Sequence, residues 1–342
     1  METTSANVSA TVATPDVTAR PAWAGRIDGI GPAHRRWHSA VNADEATTPG
    51  AAVIGFRSDE GVRRNGGRQG AADGPGEIRR ALASKALDAG IVVHDAGDVM
   101  VVGDDLEDGH DRLAAAVSSL VRAGHTPLVL GGGHETAYGS YQGLANSGAL
   151  DGRRLGILNL DAHFDLREAS RATSGTPFRQ IAGLEADRGA PFTYAVVGIS
   201  EPSNTAALFD AANALNVVYR TDEECQERHL SDVLAFVAHF VDSVDVLHLS
   251  IDLDVLPAAS APGVSAPASV GVPPTVIVEI CKVVAASPKL TLVDVVELNP
   301  AYDIDYRTAG LAARLVHTLT VGSHRARSRA TAPTGPDAVA AG

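Results

Sequence analysis

The sequence predicts an α/β fold with a mostly parallel sheet of about eight strands. Short, continuous apolar runs rich in Val, Ile and Leu recur along the chain, and such runs are typical of strands that are covered on both faces. Stretches with apolar residues at helical spacing separate many of these runs. This alternation indicates parallel strands joined by helices.

The strands are predicted, in chain order, at Ala52–Phe56, Ile91–His94, Pro127–Leu130, Leu155–Leu160, Ala195–Gly198, Val217–Tyr219, Val246–Ile251 and Leu292–Glu297. The helices with the clearest apolar spacing are predicted at Asp111–Ala123, Glu223–Phe240, Pro274–Ala286 and Thr308–Thr320. No break in composition and no repeat divides this region, so we expect a single domain over residues 23–321. Residues 1–22 are predicted to be a disordered leader, and residues 322–342 a disordered tail.

Composition narrows the class of protein. The 45% apolar content is that of a globular protein, and no apolar run is long enough to span a bilayer. The net charge of −13, from 41 acidic and 28 basic residues, argues against nucleic-acid and anionic-membrane partners. The only two cysteines, Cys225 and Cys281, form no disulfide-like framework. We therefore expect a cytoplasmic protein with a small-molecule substrate. A homo-oligomer is also expected.

Three polar clusters each follow a predicted strand: residues 131–135 (GGGHE), 161–165 (DAHFD) and 252–254 (DLD). Ligands of open α/β sheets bind beyond the carboxyl ends of the strands, where residues distant in sequence converge. Each cluster alone has an ordinary structural explanation: a tight turn or phosphate loop, a solvated acidic loop, or a helix cap. Together, after three strands, they predict one polar pocket. The GxGxxG and GxxxxGK[ST] patterns of nucleotide-binding loops are absent.

The pocket has the composition of a metal site. In an extended segment residues i, i+2 and i+4 project to one side, so Asp161, His163 and Asp165 can face one cavity. Asp252 and Asp254 repeat the i, i+2 spacing. With His134, the set holds four carboxylates and two imidazoles, a mainly hard set that suits Mn²⁺. One ion cannot use six ligands without waste, so the sequence predicts two ions.

These motifs resemble the ureohydrolase family, which includes arginases, agmatinases and formimidoylglutamases, over roughly residues 50–320. The resemblance implies a three-layer α/β/α arginase-like fold with two Mn²⁺ ions per subunit. It also implies that Asp161 and Asp252 bridge the ions. One ion would then be held by His134, Asp161, Asp165 and Asp252, and the other by Asp161, His163, Asp252 and Asp254. The closing segment VDVVELNP, residues 293–300, resembles the family motif whose glutamate, here Glu297, binds the amidine-like nitrogens of the substrate.

Three stretches resemble the formimidoylglutamase branch: residues 59–68, 165–167 and 203–205. Arginases and agmatinases commonly carry a histidine after the DAHxD motif, where we expect Ser174 here. The departure argues against an arginase-type proton shuttle. Arg167 and Arg179 could hold a dicarboxylate substrate, although a solvated loop is the alternative. The predicted substrate-binding residues are Arg167, Ser174, Arg179, Asn204 and Glu297.

The resemblance thus implies hydrolysis of N-formimidoyl-L-glutamate to L-glutamate and formamide, a step of histidine degradation. A hydroxide bridging the metals would attack, and the catalytic residues would be Asp254, which accepts a proton, and Glu297. One alternative is another guanidino substrate, such as agmatine, arginine or a guanidino acid. A second alternative is a catalytically silent, metal-binding regulatory protein on the same fold.

Overall fold

The computed structural model describes residues 23–42 and 48–331. Its described part contains one sheet of nine strands, and every pairing between neighbours is parallel. The spatial order is β1-β3-β2-β4-β9-β8-β5-β6-β7. The strands are β1 Val41–Asn42, β2 Ala51–Arg57, β3 Val93–Met100, β4 Thr126–Leu130, β5 Leu155–Leu160, β6 Tyr194–Ile199, β7 Val218–Thr221, β8 Val246–Asp252 and β9 Leu290–Val296. The predicted α/β class is confirmed, with the two-residue β1 as an additional strand.

Helices cover both faces of the sheet. They are α1 Trp37–Ala40, α2 Glu60–Arg64, α3 Gly74–Ala83, α4 Leu106–Arg122, α5 Thr136–Asn146, α6 Pro177–Asp187, α7 Ala206–Ala214, α8 Leu230–Asp242, α9 Pro274–Ala285 and α10 Arg307–Thr331. One apolar cluster joins α1, α3, α8, α9 and α10 to the sheet, and a second joins α4, α5, α6 and α7 to the opposite face. Two separate cores on one sheet make the three-layer α/β/α architecture. Within the described residues, no helix is long and apolar enough to cross a membrane.

The centre of the sheet brings the polar clusters together. Strands β4, β9, β8 and β5 are consecutive neighbours, and β4, β8 and β5 are the strands that precede the three clusters. Because all four strands run in the same direction, their carboxyl ends lie at one edge. The topology therefore gathers residues that are up to 120 positions apart into one pocket, as the sequence predicted.

Strand β3 differs most from its prediction. The apolar pattern ends at His94, but the strand runs from Val93 to Met100 and includes two aspartates. Both carboxylates are paired with buried Arg79 of α3: its side chain contacts Asp95 at 3.0 Å and Asp98 at 2.5 Å. A buried charge is tolerated when it is paired and hydrogen-bonded, so these acidic residues lie inside the sheet and do not end it.

The last helix is also longer than predicted. Helix α10 continues to Thr331, so the predicted tail boundary at residue 322 is wrong for residues 322–331. The polar extension still has tertiary contacts: a Cβ on Gly322 would lie 2.5 Å from Ala285, and Arg327 donates to Thr126 at 3.0 Å. The predicted leader, 1–22, and the remainder of the predicted tail, 332–342, lie outside the described residues.

Candidate metal centre and substrate site

The GGGHE loop is fixed by the backbone on both sides. A Cβ on Gly132 would lie 1.6 Å from the carbonyl oxygen of Ser58, so only glycine allows this close approach. On one side, the Gly133 N–H donates to the Ser58 carbonyl at 3.0 Å. On the other, the Gly132 carbonyl accepts from the Glu297 N–H at 2.7 Å. The loop therefore holds His134 between the end of β2 and the end of β9.

His134 faces three carboxylates at once. Its Nδ1 atom lies 3.1 Å from Asp161, 3.0 Å from Asp165 and 3.1 Å from Asp252. The imidazole is almost completely buried, yet Nδ1 makes no contact with hydrogen-bond geometry. One nitrogen surrounded by three carboxylate oxygens, without a hydrogen bond, is the arrangement expected of ligands that converge on a cation.

A second cluster adjoins the first. His163 Nδ1 lies 3.1 Å from Asp254 and 3.5 Å from Asp161. Asp161 therefore belongs to both clusters, with one oxygen towards each histidine. His163 is the more accessible of the two histidines, with 23% of its side chain exposed against 1% for His134. The second cluster is thus the side of the centre that is open to solvent.

The electrostatics of the pocket call for a cation. Burial, together with the charges of Asp254 and Asp161, raises the pKa of Asp252 well above its ordinary value. Burial opposes the charging of His134, but the adjacent carboxylates of Asp161, Asp165 and Asp252 outweigh it and raise the pKa of the imidazole. Bound divalent ions would offset the repulsion among these carboxylates. The residues present, four carboxylates and two imidazoles, fit a pair of Mn²⁺ ions.

Glu297 lies beside the first cluster and keeps one oxygen free. Its backbone has a φ of +68°, a conformation that L-residues rarely adopt and that often marks a functional constraint. One carboxylate oxygen accepts from the His134 N–H at 2.9 Å, whereas Oε2 is buried without a hydrogen-bond partner in the described structure. Burial and the neighbouring Glu135 raise the pKa of Glu297 well above its ordinary value. A cationic group would satisfy this carboxylate.

Asn204, a predicted substrate-binding residue, uses its side-chain amide for hydrogen bonds to the backbone. Its amide donates to the carbonyls of Ala162 and Ser200, both at 2.9 Å, and its oxygen accepts from the Phe164 N–H at 3.2 Å. One amide hydrogen and the amide oxygen therefore hold the DAHFD segment, and the other amide hydrogen bonds the Ser200 carbonyl. The structure thus places Asn204 as a support of the segment that carries the predicted ligands, and its predicted contact with a substrate stays a prediction.

The loop that follows the predicted ligand Asp165, residues 166–176, carries Arg167 near its start, and Arg179 lies just beyond its end. Arg167 is exposed and makes no ion pair with any described residue, whereas Arg179, in the first turn of α6, is paired with Glu168. Both line an open groove of about 590 Å³. Arg167 is therefore the available cation of the two.

Ser174 is buried in the same loop and accepts a hydrogen bond from Asn65 Nδ2 at 3.2 Å. The nearby side chain that packs against the predicted ligand His134 is Phe178 of α6, whose ring centroid lies 5.2 Å from that of His134, with the rings at 87°. Neither a hydroxyl engaged with Asn65 nor a phenyl ring can act as an imidazole shuttle. The contact from Phe178 is one that sequence reasoning missed, because it depends on how α6 packs under the loop.

Two more neighbours of His134 had no predicted role. Its Nε2 lies 3.0 Å from Ser250 Oγ, on the strand that ends in Asp252. Because Nδ1 faces the carboxylates, this second contact fixes the orientation of the ring. Glu135 is buried and accepts from Ser58 Oγ at 2.8 Å and from the Gly61 N–H at 3.1 Å. Burial raises its pKa to about 7. In the sequence, only the positions of Ser250 and Glu135 close to the predicted ligands Asp252 and His134 could have indicated these contacts.

Comparison with known proteins agrees with this geometry. The family model "Arginase family" matches residues 49–322. The chain is 53% identical over 302 residues to a formimidoylglutamase of Rhodococcus opacus, covering 87% of this chain and 94% of the relative. It is 54% identical over 302 residues to that of Nocardia farcinica, covering 87% and 96%.

Solved structures show the same fold. A formiminoglutamase of Trypanosoma cruzi with Mn²⁺ superposes with a TM-score of 0.76 at 27% identity, covering 84% of this chain and 98% of that chain. An arginase of Bacillus subtilis gives a TM-score of 0.68 at 26% identity, covering 79% and 98%. On the family match and on the identity to these relatives, the chain belongs to the arginase family of hydrolases.

Proposed function

We propose that this chain hydrolyses N-formimidoyl-L-glutamate to L-glutamate and formamide, with two Mn²⁺ ions as cofactors. The observation that carries the proposal is the charge pattern around the centre. Glu297 offers a buried, unpartnered carboxylate oxygen, and Arg167 offers an unpaired guanidinium on the loop after Asp165. The substrate has the complementary pattern, a cationic amidine at one end and two carboxylates at the other.

The metal ions would be held by the six predicted ligands. Asp161 and Asp252 would bridge, His134 and Asp165 would complete one site, and His163 and Asp254 the other. The contacts of Asp161 with both histidines support its bridging role. When bound, the pair would supply Lewis acidity and lower the pKa of water, so that hydroxide is available near neutral pH.

The chain's own side chains would bind and orient the substrate. The free oxygen of Glu297 would accept from the NH–CH=NH₂⁺ group, and this cation would compensate the buried carboxylate. The carboxylates of the substrate would reach the planar fork of Arg167. Both contacts would place the trigonal carbon at the open second cluster, where reacting groups held in register react much faster than free ones.

Proton transfer would fall to Asp254. Its Oδ2 lies at the accessible His163, and burial raises its pKa from the ordinary value. A carboxyl group in this position can accept a proton from water as the C–O bond forms and give it to the amine nitrogen as the C–N bond breaks. Glutamate then leaves as the amine, and the other fragment is formamide.

A substrate panel tests this function. Protein loaded with Mn²⁺ should have a higher kcat/KM for formimidoylglutamate than for arginine, agmatine or guanidinobutyrate, because only the first carries two carboxylates and an amidine. A preference for a guanidino compound would refute the proposed substrate but would still agree with a metal-dependent hydrolase. Metal content without turnover of any of the four would favour a silent binding protein. A role in histidine degradation, a cytoplasmic location and a homo-oligomer stay predictions.

A further inference from the structure

The short helix α2, Glu60–Arg64, lies between the metal centre and the 166–176 loop. Its first turn is attached to the metal side, because the Gly61 N–H donates to Glu135 Oε1 at 3.1 Å and the preceding Ser58 hydroxyl donates to the same oxygen at 2.8 Å. Glu135 directly follows the ligand His134. The start of α2 is therefore bonded to Glu135, the neighbour in sequence of the predicted metal ligand His134.

The last residue of α2, Arg64, connects three segments. Its guanidinium donates to Glu60 at 2.8 Å, to both oxygens of Glu107 at 2.8 and 3.0 Å, to the Asp104 carbonyl at 2.6 Å and to the Ala172 carbonyl at 3.1 Å. Only 7% of this side chain is exposed. A planar fork with five donors can satisfy such a set, whereas a lysine ammonium cannot.

A second contact adjoins the first. Asn65 donates to Ser174 Oγ at 3.2 Å, so the end of α2 holds the 166–176 loop at Ala172 and at Ser174. The loop is also closed on itself, because the Arg167 N–H donates to the Gly175 carbonyl at 2.9 Å. Fixing the far side of the closed loop therefore fixes the backbone from which Arg167 projects.

We propose that Arg64 is a positioning residue, which acts through the 166–176 loop to hold the Arg167 guanidinium at a set distance from the metal ligands. This inference rests on the proposed function, in which Arg167 binds a substrate carboxylate. Arg64 itself touches neither the ligands nor the groove. We therefore expect its effect on the reaction to pass through Arg167.

A double-mutant cycle tests this dependence. Arg64→Ala should raise KM for formimidoylglutamate by at least about tenfold, as expected for loss of a charge-assisted contact, with kcat within about threefold and two Mn²⁺ retained by elemental analysis. In an Arg167→Ala background the same substitution should change KM by less than about twofold, since coupled residues are not additive. Full additivity would overturn the proposal.

The neighbouring arginine is the matched control. Arg63 lies on the same helix and bonds Glu60 at 2.6 and 2.7 Å, but it makes no bond to the loop in the described structure. Arg63→Ala should leave KM within about twofold of wild type. Equal effects at both arginines would overturn the proposal. Arg64→Lys should resemble Arg64→Ala, because the charge alone cannot reach Ala172, Asp104 and Glu107 together.

Hydrogen exchange gives a readout that does not need turnover. Peptides covering residues 166–176 should exchange at least about tenfold faster in Arg64→Ala, and measurably faster in Asn65→Ala, than in Arg63→Ala or wild type. Asn65→Ala removes the hydrogen bond to Ser174, so this milder variant can replace Arg64→Ala in the experiment if Arg64→Ala does not fold. If the wild-type protein does not hydrolyse formimidoylglutamate, the proposed function fails, but hydrogen exchange still tests whether Arg64 and Asn65 hold the 166–176 loop. Unchanged exchange in both variants would show that they do not hold it.

Discussion

The metal-ligand cluster and the 166–176 loop adjoin at Asp165 but are built in different ways. The predicted ligands His134, Asp161 and Asp252 lie at or within four residues of the ends of central parallel strands and are almost completely buried. The loop instead has an exposed Arg167 and is held by a few side-chain hydrogen bonds, from Arg64 at the end of α2, from the adjacent Asn65 and from its own Arg171. The backbone of the sheet therefore positions the first region, and a few hydrogen bonds position the second. Substitutions should separate the two, with metal loss in one and weaker substrate binding in the other.

The largest expected effect is at Asp161, which faces both histidines. Asp161→Ala should lower kcat/KM at least about a hundredfold and deplete both ions. Replacing residues that only hydrogen-bond to metal ligands already lowers metal affinity or activity about 10- to 100-fold. Asp165→Ala should deplete mainly one ion, since Asp165 contacts His134 and not His163 among the described contacts. Elemental analysis of both variants provides the check. Full metal content in Asp161→Ala would contradict the bridging assignment.

The next largest effect is at Arg167. Arg167→Ala should raise KM for formimidoylglutamate roughly 10- to 100-fold, because a charge-assisted hydrogen bond contributes about 1.5–3 kcal/mol. Metal content should be unchanged. Arg167→Lys should recover little, because a point charge cannot reproduce the bidentate fork.

Arg179→Ala is the matched control for that prediction. Arg179 lines the same groove but is already paired with Glu168 on the surface, and exposed pairs contribute little. Steady-state kinetics on the two alanine variants should show the larger KM for Arg167→Ala. If the order is reversed, Arg179 is the carboxylate-binding residue and the loop has been assigned incorrectly.

The same difference explains what the sequence could predict. The six candidate ligands are contiguous with apolar strands, so strand direction alone predicted that they meet. The surroundings of Ser174 and Asn204 depend on hydrogen bonds to residues 109 and 42 positions away, and no local pattern indicates such partners. Arg64 likewise stood in a motif without a role, because its five bonds exist only in the folded chain.

The predicted fold class is correct, and the errors in individual strands and helices have a related cause. Strand β3 was predicted too short because Asp95 and Asp98 break the apolar pattern, and their partner Arg79 lies on another element. Helix α5 was missed because it packs mainly through glycine, tyrosine and small side chains, which give only a weak apolar pattern. Helix α6 was missed although Phe178, Ile181 and Ala182 have helical spacing. Local periodicity thus predicts elements whose burial is apolar, and it fails where buried pairs or tertiary packing replace apolar burial.

Two buried histidines offer a contrast in pH dependence. The carboxylates around His134 favour its charged form, whereas His110 is packed between Phe56 and Tyr138, and burial lowers its pKa to about 4. Unfolding restores an ordinary pKa near 6.5. Between about pH 4 and 6.5, His110 is therefore protonated in the unfolded chain and neutral in the folded chain. The free energy of unfolding should therefore fall as pH drops through 6.5 and level off below about 4, with a total loss of up to about 3 kcal/mol.

His110→Leu removes this titration and leaves the metal ligands in place. Denaturant unfolding of metal-free wild type and variant should give a free-energy difference that grows in favour of the variant between pH 7 and pH 4. Because acid titration of the ligands is common to both proteins, it cancels in the difference. A difference that does not change with pH would show that His110 is not kept neutral in the folded state.

The smallest effect on turnover is expected at the cysteines, which lie in neither region. Cys225 and Cys281 are both buried in the apolar core, and burial raises the pKa of each thiol to about 12. A thiolate is the reactive form, so these groups should be inert towards iodoacetamide in the folded protein. Cys281→Ala should keep kcat/KM within about twofold, since a metal-assisted hydrolysis needs no thiol nucleophile. Cys281→Ser should be the less stable variant, by about 1 kcal/mol or more if the buried hydroxyl is left unpaired. Rapid alkylation with parallel loss of activity, at unchanged metal content, would instead place a reactive cysteine at the site.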